Sequence, residues 1–416
     1  MDLVKSLGIR TIEAVIVFFL VTFLPGFPPN MEFTAFSVAP SMPLKGTLEL
    51  NTKLNNAERL LDGDIKGPEH IVAYNGELYT GIHGGEIVKI VNGKFVPVVK
   101  FGRPCAGLWE ESVCGRPLGF QFDKNGNIYV ADAYYGIFKY EMRTGTSTTL
   151  VSINETIDGK TPKLPNDVAV ASDGTVYWTD SSTEITLEDG VYACLGDGSG
   201  RLLRYDPKTH TNEVLMYNMH FPNGLALSPK EDYLLMSETV RSRIHKYYLK
   251  GPKAGTSEIF IDGLPGLPDN LKSLGEEGFL VPLVMARDSE NILIFQLMGP
   301  YPLLRKFFAR ILAAIEVPLQ YAHKFFPHYY LQRAIHWLGH FESVSAMSPK
   351  RTTILHLDLD GNVVESFHGN DSTVSGISSV EIFEDAFYLG SPYNTYIGRV
   401  KLPLTLKKTP VKSVKE

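Results

Sequence analysis

Six times between Ile71 and Gly390 the chain repeats one small pattern. It is an apolar run, a turn of glycine, asparagine or acidic residues, then an aromatic-rich run. Ile71 to Tyr74 leads through Asn75-Gly76 to Leu78-Tyr79-Thr80-Gly81, and Leu118 to Phe122 leads through Asn125-Gly126 to Ile128-Tyr129-Val130-Ala131. Val168 to Val170 leads through Asp173-Gly174 to Val176-Tyr177-Trp178-Thr179, and Leu225 to Leu227 leads through Glu231-Asp232 to Tyr233 to Met236. Leu271 to Leu274 precedes Glu277-Gly278 and Phe279 to Val281, and Ser379 to Ile382 precedes Glu384-Asp385 and Ala386 to Gly390. Most units begin about 50 residues apart, the period of a propeller blade of about four strands. The expected fold is therefore all-β, a six-bladed β-propeller over residues 65–402. Residues 31–64 read as a linker that ends the last blade, with a closing strand expected around Leu48 to Leu50.

One segment breaks the repeat. Residues 299–341 interrupt the fifth unit and read as helical, with Leu304, Phe307, Phe308, Ile311, Leu312 and Ile315 on one face and Lys306 and Arg310 opposite. Pro318 and Pro327 are expected to end that helix. Two readings stay open: a flap packed on the propeller, or a segment lying in a membrane interface.

Four turns share a second signature. Gly67-Pro68-Glu69, Leu164-Pro165-Asn166, Phe221-Pro222-Asn223 and Leu267-Pro268-Asp269 each place an oxygen-bearing side chain just after a proline and just before an inner strand. Asn and Asp also form ordinary turns. Their recurrence at equivalent points of a ring-shaped repeat makes Glu69, Asn166, Asn223 and Asp269 converge near the axis. Two carboxylates and two amide oxygens form a hard, all-oxygen set of charge −2, which suits calcium. Zinc would call for Cys or His ligands, and none stands at these positions.

Lys5 and Arg10 precede an apolar run from Ala14 to Leu24, so residues 1–30 read as a cytoplasmic tail and an uncleaved signal anchor, with a cleaved signal peptide as the alternative. The propeller would then be extracellular or lumenal, in a single-pass type II topology at the plasma membrane or endoplasmic reticulum. Three cysteines fit that compartment: Cys105 and Cys114 are spaced for a disulfide and Cys194 is left over. Asn154-Glu155-Thr156 and Asn370-Asp371-Ser372 are glycosylation sequons. Residues 403–416 form a short basic tail. A net charge of −6 excludes the basic excess of a nucleic-acid binder.

Tyr177-Trp178-Thr179-Asp180-Ser181-Ser182, Gly200 to Pro207, Arg243 to Tyr247, Gly251 to Gly255 and Leu264 to Asn270 together resemble the strictosidine synthase-like family. The resemblance covers roughly the whole chain. It implies a six-bladed propeller related to paraoxonases and calcium-dependent lactonases, with Glu69, Asn166, Asn223 and Asp269 matching calcium ligands and Asn270 matching a further calcium-contacting asparagine. It also implies arylesterase activity on an ester or lactone, with Asp269 as the candidate catalytic residue contacting metal and water. Two departures stand out. The glutamate of plant strictosidine synthases aligns with Ser378, which argues against alkaloid synthesis. The paraoxonase histidine pair aligns with Leu118-Gly119 and Asp132-Ala133, which carry no histidine. The rival reading is a non-catalytic membrane-anchored binding or receptor ectodomain with structural calcium.

Overall fold

The computed structural model describes residues 2–345, 349–403 and 405–406. The basic tail expected over 403–416 lies, from residue 407 onward, outside the described residues, as does the Lys5 side chain.

The described chain forms six antiparallel sheets. Their first strands are Ile71–Tyr74, Pro117–Phe122, Pro165–Val170, Pro222–Leu227, Gly266–Pro268 and Ser379–Phe383. Each sheet touches the next, and the sixth touches the first, so the sheets close a ring. This is the architecture of a β-propeller.

The packing follows from alternation along each strand. Successive side chains point to opposite faces, and here both faces are buried. Val176 and Trp178 turn towards the second sheet, while Tyr177 turns towards the fourth. Every seam of the ring thus has its own apolar cluster. Phe120 and Val130 meet Tyr79 and Ile87 at the first seam, and Phe387 and Leu389 meet Ile354 and Phe367 at the fifth. A fully buried side chain of this size contributes about 1.5–3 kcal/mol. The ring is held by its seams rather than by one central core.

The ring is closed by a strand from the N-terminal side, but not the expected one. Gly46–Leu48 is a short 3-10 helix, and Glu58–Leu60 pairs with Ile397–Arg399 instead. Leu48 is an anchor of a different kind, buried in the cluster between the fourth and fifth sheets. An apolar side chain followed by a turn read as a strand because burial alone does not separate the two.

Helix α1 covers Asp2–Phe23, and its stretch Ser6–Phe23 is long and apolar enough to cross a membrane. A one-turn helix α2 (Glu111–Cys114) ends at the disulfide Cys105–Cys114. Between the strands Phe279–Ala286 and Thr352–Leu357 of the fifth sheet lie α3 (Ile294–Leu297), α4 (Pro302–Phe325), α5 (Tyr329–Gly339) and α6 (Glu342–Ser345). Pro318 does not break α4; the helix runs through it to Phe325, and the stop comes before Pro327. A proline removes one backbone donor, and here the turns on either side carry the helix across.

Candidate functional site

The first strands of the third and fourth sheets begin with Pro165 and Pro222. Proline is tolerated at a strand's first residue because no ladder donor is needed there. Just after each proline the register slips, between Pro165 and Val168 and between Pro222 and Leu225, and a similar slip falls between Leu267 and Pro268. Such bulges re-aim side chains. Asn166 and Asn223 sit inside the slips, Asp269 follows the third one, and Glu69 lies two residues before the first sheet's inner strand. All four are buried, as is Asn270.

The inner strands approach closely because glycines allow it. A Cβ on Gly119 would lie 2.1 Å from Asp167 Oδ1, and one on Gly224 would lie 2.4 Å from the Asn270 Cα. Hydroxyls from the neighbouring sheet then tie down the main chain of the site. Thr179 Oγ1 donates to the Asn223 carbonyl at 3.0 Å, and Thr239 Oγ1 donates to the Pro268 carbonyl at 2.8 Å. Ser378 Oγ donates to the Glu69 carbonyl at 3.1 Å, and Ser379 donates to the same oxygen.

The backbone carbonyls are satisfied while the side-chain oxygens are not. Glu69 Oε2, Asn166 Oδ1, Asn223 Oδ1, Asp269 Oδ1 and Asn270 Oδ1 are all buried without a hydrogen-bond partner. An orphaned buried acceptor costs about 1–3 kcal/mol. Together, five such oxygens at four equivalent points of the ring, Asn270 standing next to Asp269, form an all-oxygen set that could hold a cation. The electrostatics agree. Burial pushes the Glu69 carboxyl well up; Arg116 opposes this and Asp269 adds to it. Burial also raises Asp269 to about 7, with a side-chain bond from Asn223 pulling the other way. A positive charge among these groups would relieve both.

Glu69, Asn166, Asn223 and Asp269 line one cavity of about 730 Å³. Leu118, Phe221, Val240, Leu267 and Phe341 give it apolar walls. Cys194 also lines it, with its thiol pushed up to about 12 by burial. Asn154 and Asn370 lie elsewhere, on exposed loops.

The sequence reading missed two histidines here. His83 and His340 line the cavity, from the first sheet and from the end of α5. His83 Nε2 lies 2.8 Å from the Pro392 carbonyl oxygen, so it carries the proton, and Nδ1 is left buried with no partner. Burial, with Arg116 alongside, holds this ring well below the usual histidine range, so it is neutral. Its signal stands one repeat before Asp132-Ala133. His83 follows Gly81-Ile82 as Ala133 follows Ala131-Asp132. The antiparallel pairing places the end of each second strand beside the start of the first, and Glu69 N donates to Gly81 O at 3.2 Å.

A second group flanks the cavity. Glu111 is fully buried, with Arg116 Nε at 3.8 Å and His340 Nε2 at 3.5 Å. Burial raises its carboxyl, but His340, His83 and Arg116 outweigh that and hold it at about 2. His336, His340 and Glu342 bring three ligand-type atoms within 4.8 Å of one another. However, the Glu342 N–H donates to His340 Nδ1, which leaves the proton on Nε2 and removes that atom as a metal ligand.

Comparison with known proteins supports the same architecture. Residues 166–252 match the strictosidine synthase family, and residues 46–90 match the strictosidine synthase-like N-terminal family. Over 416 residues the chain is 45% identical to the adipocyte plasma membrane-associated protein hemomucin of Drosophila melanogaster, covering 98% of this chain and 72% of that one. It is 32% identical over 363 residues to the adipocyte plasma membrane-associated protein of Homo sapiens, covering 86% of this chain and 81% of that one. Among solved structures, a gluconolactonase from Xanthomonas campestris superposes with a TM-score of 0.52 at 13% identity, covering 91% of this chain and 99% of that one. A regucalcin from Agrobacterium tumefaciens, described as a calcium-binding protein, superposes with a TM-score of 0.50 at 12% identity, covering 85% and 96%. At those identities the solved structures bear on the fold alone. The two family matches and the full-length relatives agree, and the chain belongs to the strictosidine synthase-like family, in its adipocyte plasma membrane-associated protein and hemomucin branch.

Proposed function

We propose that this chain is a membrane-anchored, calcium-dependent hydrolase of the arylesterase or lactonase type, built on six blades. The observation that carries the reading is the set of five unpartnered buried oxygens beside an apolar-walled cavity of about 730 Å³. Glu69, Asn166, Asn223, Asp269 and Asn270 are the residues that would hold calcium. When bound, the ion supplies Lewis acidity towards a carbonyl oxygen and balances the −2 charge of the two carboxylates.

The chain's own groups supply the rest. Asp269 is one proton acceptor for an attacking water. His83 Nδ1 is a second, because its lone pair is free and its tautomer is set by Pro392. Arg116 holds the floor of this arrangement: its Nη1 donates to the Gly67 carbonyl at 3.0 Å, two residues before Glu69. The apolar walls seat the acyl part of an ester or lactone and exclude bulk water from it. Ser378 is fully buried and donates to the Glu69 carbonyl, so it offers no carboxylate for a Pictet–Spengler condensation.

We further read α1 as a single-pass type II anchor, with the sheets outside the cell or in the lumen, at the plasma membrane or endoplasmic reticulum. The apolar composition of α1 and its likeness to plasma membrane-associated proteins support the anchor, and the positive charge before the apolar run supports the orientation. The test is a panel of aryl esters and lactones offered to the full-length protein, with and without chelator. Calcium-restored hydrolysis of at least one is the expected result. A rate that is absent, or indifferent to chelator, would leave the binding-ectodomain reading instead.

A further inference from the structure

Helix α4 is amphipathic in the wrong sense for a flap. A helix packed on a soluble domain turns its apolar stripe inwards. The buried positions of α4 are Arg305, Ala309, Arg310, Ala313 and Glu316. Arg305 donates to the carbonyls of Leu195 and Gly196, each at 2.9 Å, and Glu316 accepts from Tyr192 Oη at 2.8 Å. The outward positions include Leu303, Phe308, Ile315, Tyr321 and Phe325, the last 71% exposed.

The exposed apolar surface is not scattered. Among the described residues, 13 exposed large apolar side chains lie between Ile292 and Trp337 and 10 lie between Leu7 and Leu24. Only six lie anywhere else. Scattered single residues need no explanation, but a contiguous patch does. The two groups are physically joined. Arg310 Nη1 donates to the carbonyls of Val21 at 3.0 Å and Leu24 at 2.7 Å, capping the end of α1, and Phe18 packs on Phe307 with ring centroids 5.1 Å apart. A candidate membrane span is therefore fixed to the helix whose outer face is apolar. Tyr321, Tyr329, Tyr330 and Trp337 add the aromatic side chains that favour a membrane–water boundary.

The same surface reaches the cavity. Ile292 and Ile294 are both exposed, and both line the cavity that holds Glu69 and Asp269. We infer that the outer face of α3 to α5 lies in the lipid bilayer beside α1. The cavity then opens at the bilayer surface and takes amphiphilic esters or lactones, with a long hydrocarbon tail, directly from the lipid. The substrate part of this inference rests on the hydrolase reading; the membrane part does not.

The full-length protein in phosphatidylcholine vesicles tests it. Trp178 is fully buried and Trp109 is half-buried against Tyr329, so Trp337, on the exposed face of α5, is the tryptophan best placed to meet lipid. Lipids brominated near the headgroup should quench a component of the emission that Trp337→Phe removes. Equal emission in brominated and ordinary lipid would overturn the inference, because α1 already secures the protein to the vesicle. The second arm compares a long-chain aryl ester carried in the vesicle with a water-borne aryl acetate. The double variant Phe308→Glu with Ile315→Glu should slow the first severalfold and leave the second unchanged. A double variant that slows neither ester, or both alike, would overturn substrate entry from lipid. Quenched Trp337 with no hydrolysis of either ester would remove the hydrolase reading, and substrate entry with it, while the membrane face stands.

Discussion

Ser237 Oγ donates to the main-chain carbonyl of Asp269 at 2.7 Å, reaching across the seam from the neighbouring sheet. The main chain of Asp269 is thereby fixed while its carboxylate Oδ1 is left without a partner. Asp269→Asn removes one of the two charges and nearly keeps the shape. It should weaken calcium binding by about 10- to 100-fold. It should also reduce the rise in melting temperature that calcium gives, since only the folded state binds the ion. Asn166→Ala should act in the same direction. Titration calorimetry showing unchanged calcium affinity in both variants would reduce the four turns to loop chemistry.

His83→Gln separates proton transfer from metal binding. Gln can still donate to Pro392 but has no imidazole lone pair to offer. Hydrolysis should fall by about 100-fold or more, with calcium affinity unmoved. An unaltered rate would leave Asp269 as the sole acceptor.

Glu238 gives a pH dependence of stability away from the site. Burial raises this carboxyl, but the hydrogen bond and charge of His245 and the charge of Arg243 outweigh it and hold it at about 2. Its ordinary value is 4.5. The folded value is the lower one, so the stabilisation is complete above about pH 4.5 and is lost as the pH falls towards 2. A depression of that size corresponds to about 3 kcal/mol. Glu238→Gln should lose stability of that order at pH 7 and differ less from the parent as the pH falls. Denaturant melts at several pH values measure this, and a constant difference would contradict it.

Cys105→Ser opens a ring of sequence separation 9 next to the cavity-flanking helix α2. The chain-entropy contribution of so small a ring is about 2–3 kcal/mol. The variant should melt lower, and Cys194→Ser should leave the Cys105–Cys114 bond intact in a non-reducing peptide map.

Asn154 and Asn370 are exposed, so both sequons are open to modification if the sheets face the lumen. Glycosidase should lower the mass of protein expressed in cells, and loss of both asparagines should abolish that shift. An unglycosylated, freely soluble product would contradict the type II reading.

The repeat and its four oxygen-bearing turns were readable in the sequence because strand alternation and turn chemistry are local properties. Asn166 and Asn223 reveal themselves by standing after a proline and before an apolar run. His83 does not, because its relevance depends on which end of an antiparallel pair faces Glu69. The closing strand was misread for a related reason. Glu58–Leu60 has no strong apolar pattern of its own, and its partner Ile397–Arg399 lies at the far end of the chain. Pro318 misled because a local rule was outweighed by the turns around it. The outward apolar face of α4 was visible as a stripe, but which side it would present depended on Arg305 and Glu316 finding partners on the ring.

The pairing of Glu58 with Arg399 also sets an order of events during synthesis. The ribosome delivers the N-terminal strand first, yet its partner emerges more than 330 residues later. Domain-sized units generally fold as they are produced, but this ring is complete only when Glu58–Leu60 meets Ile397–Arg399. Sheets one to five must wait as an open arc, with the edge of Glu58–Leu60 unpaired. The late seam is therefore where truncated chains, stalled ribosomes and folding chaperones would meet this protein, and a premature stop anywhere before Ile397 leaves a ring that cannot shut.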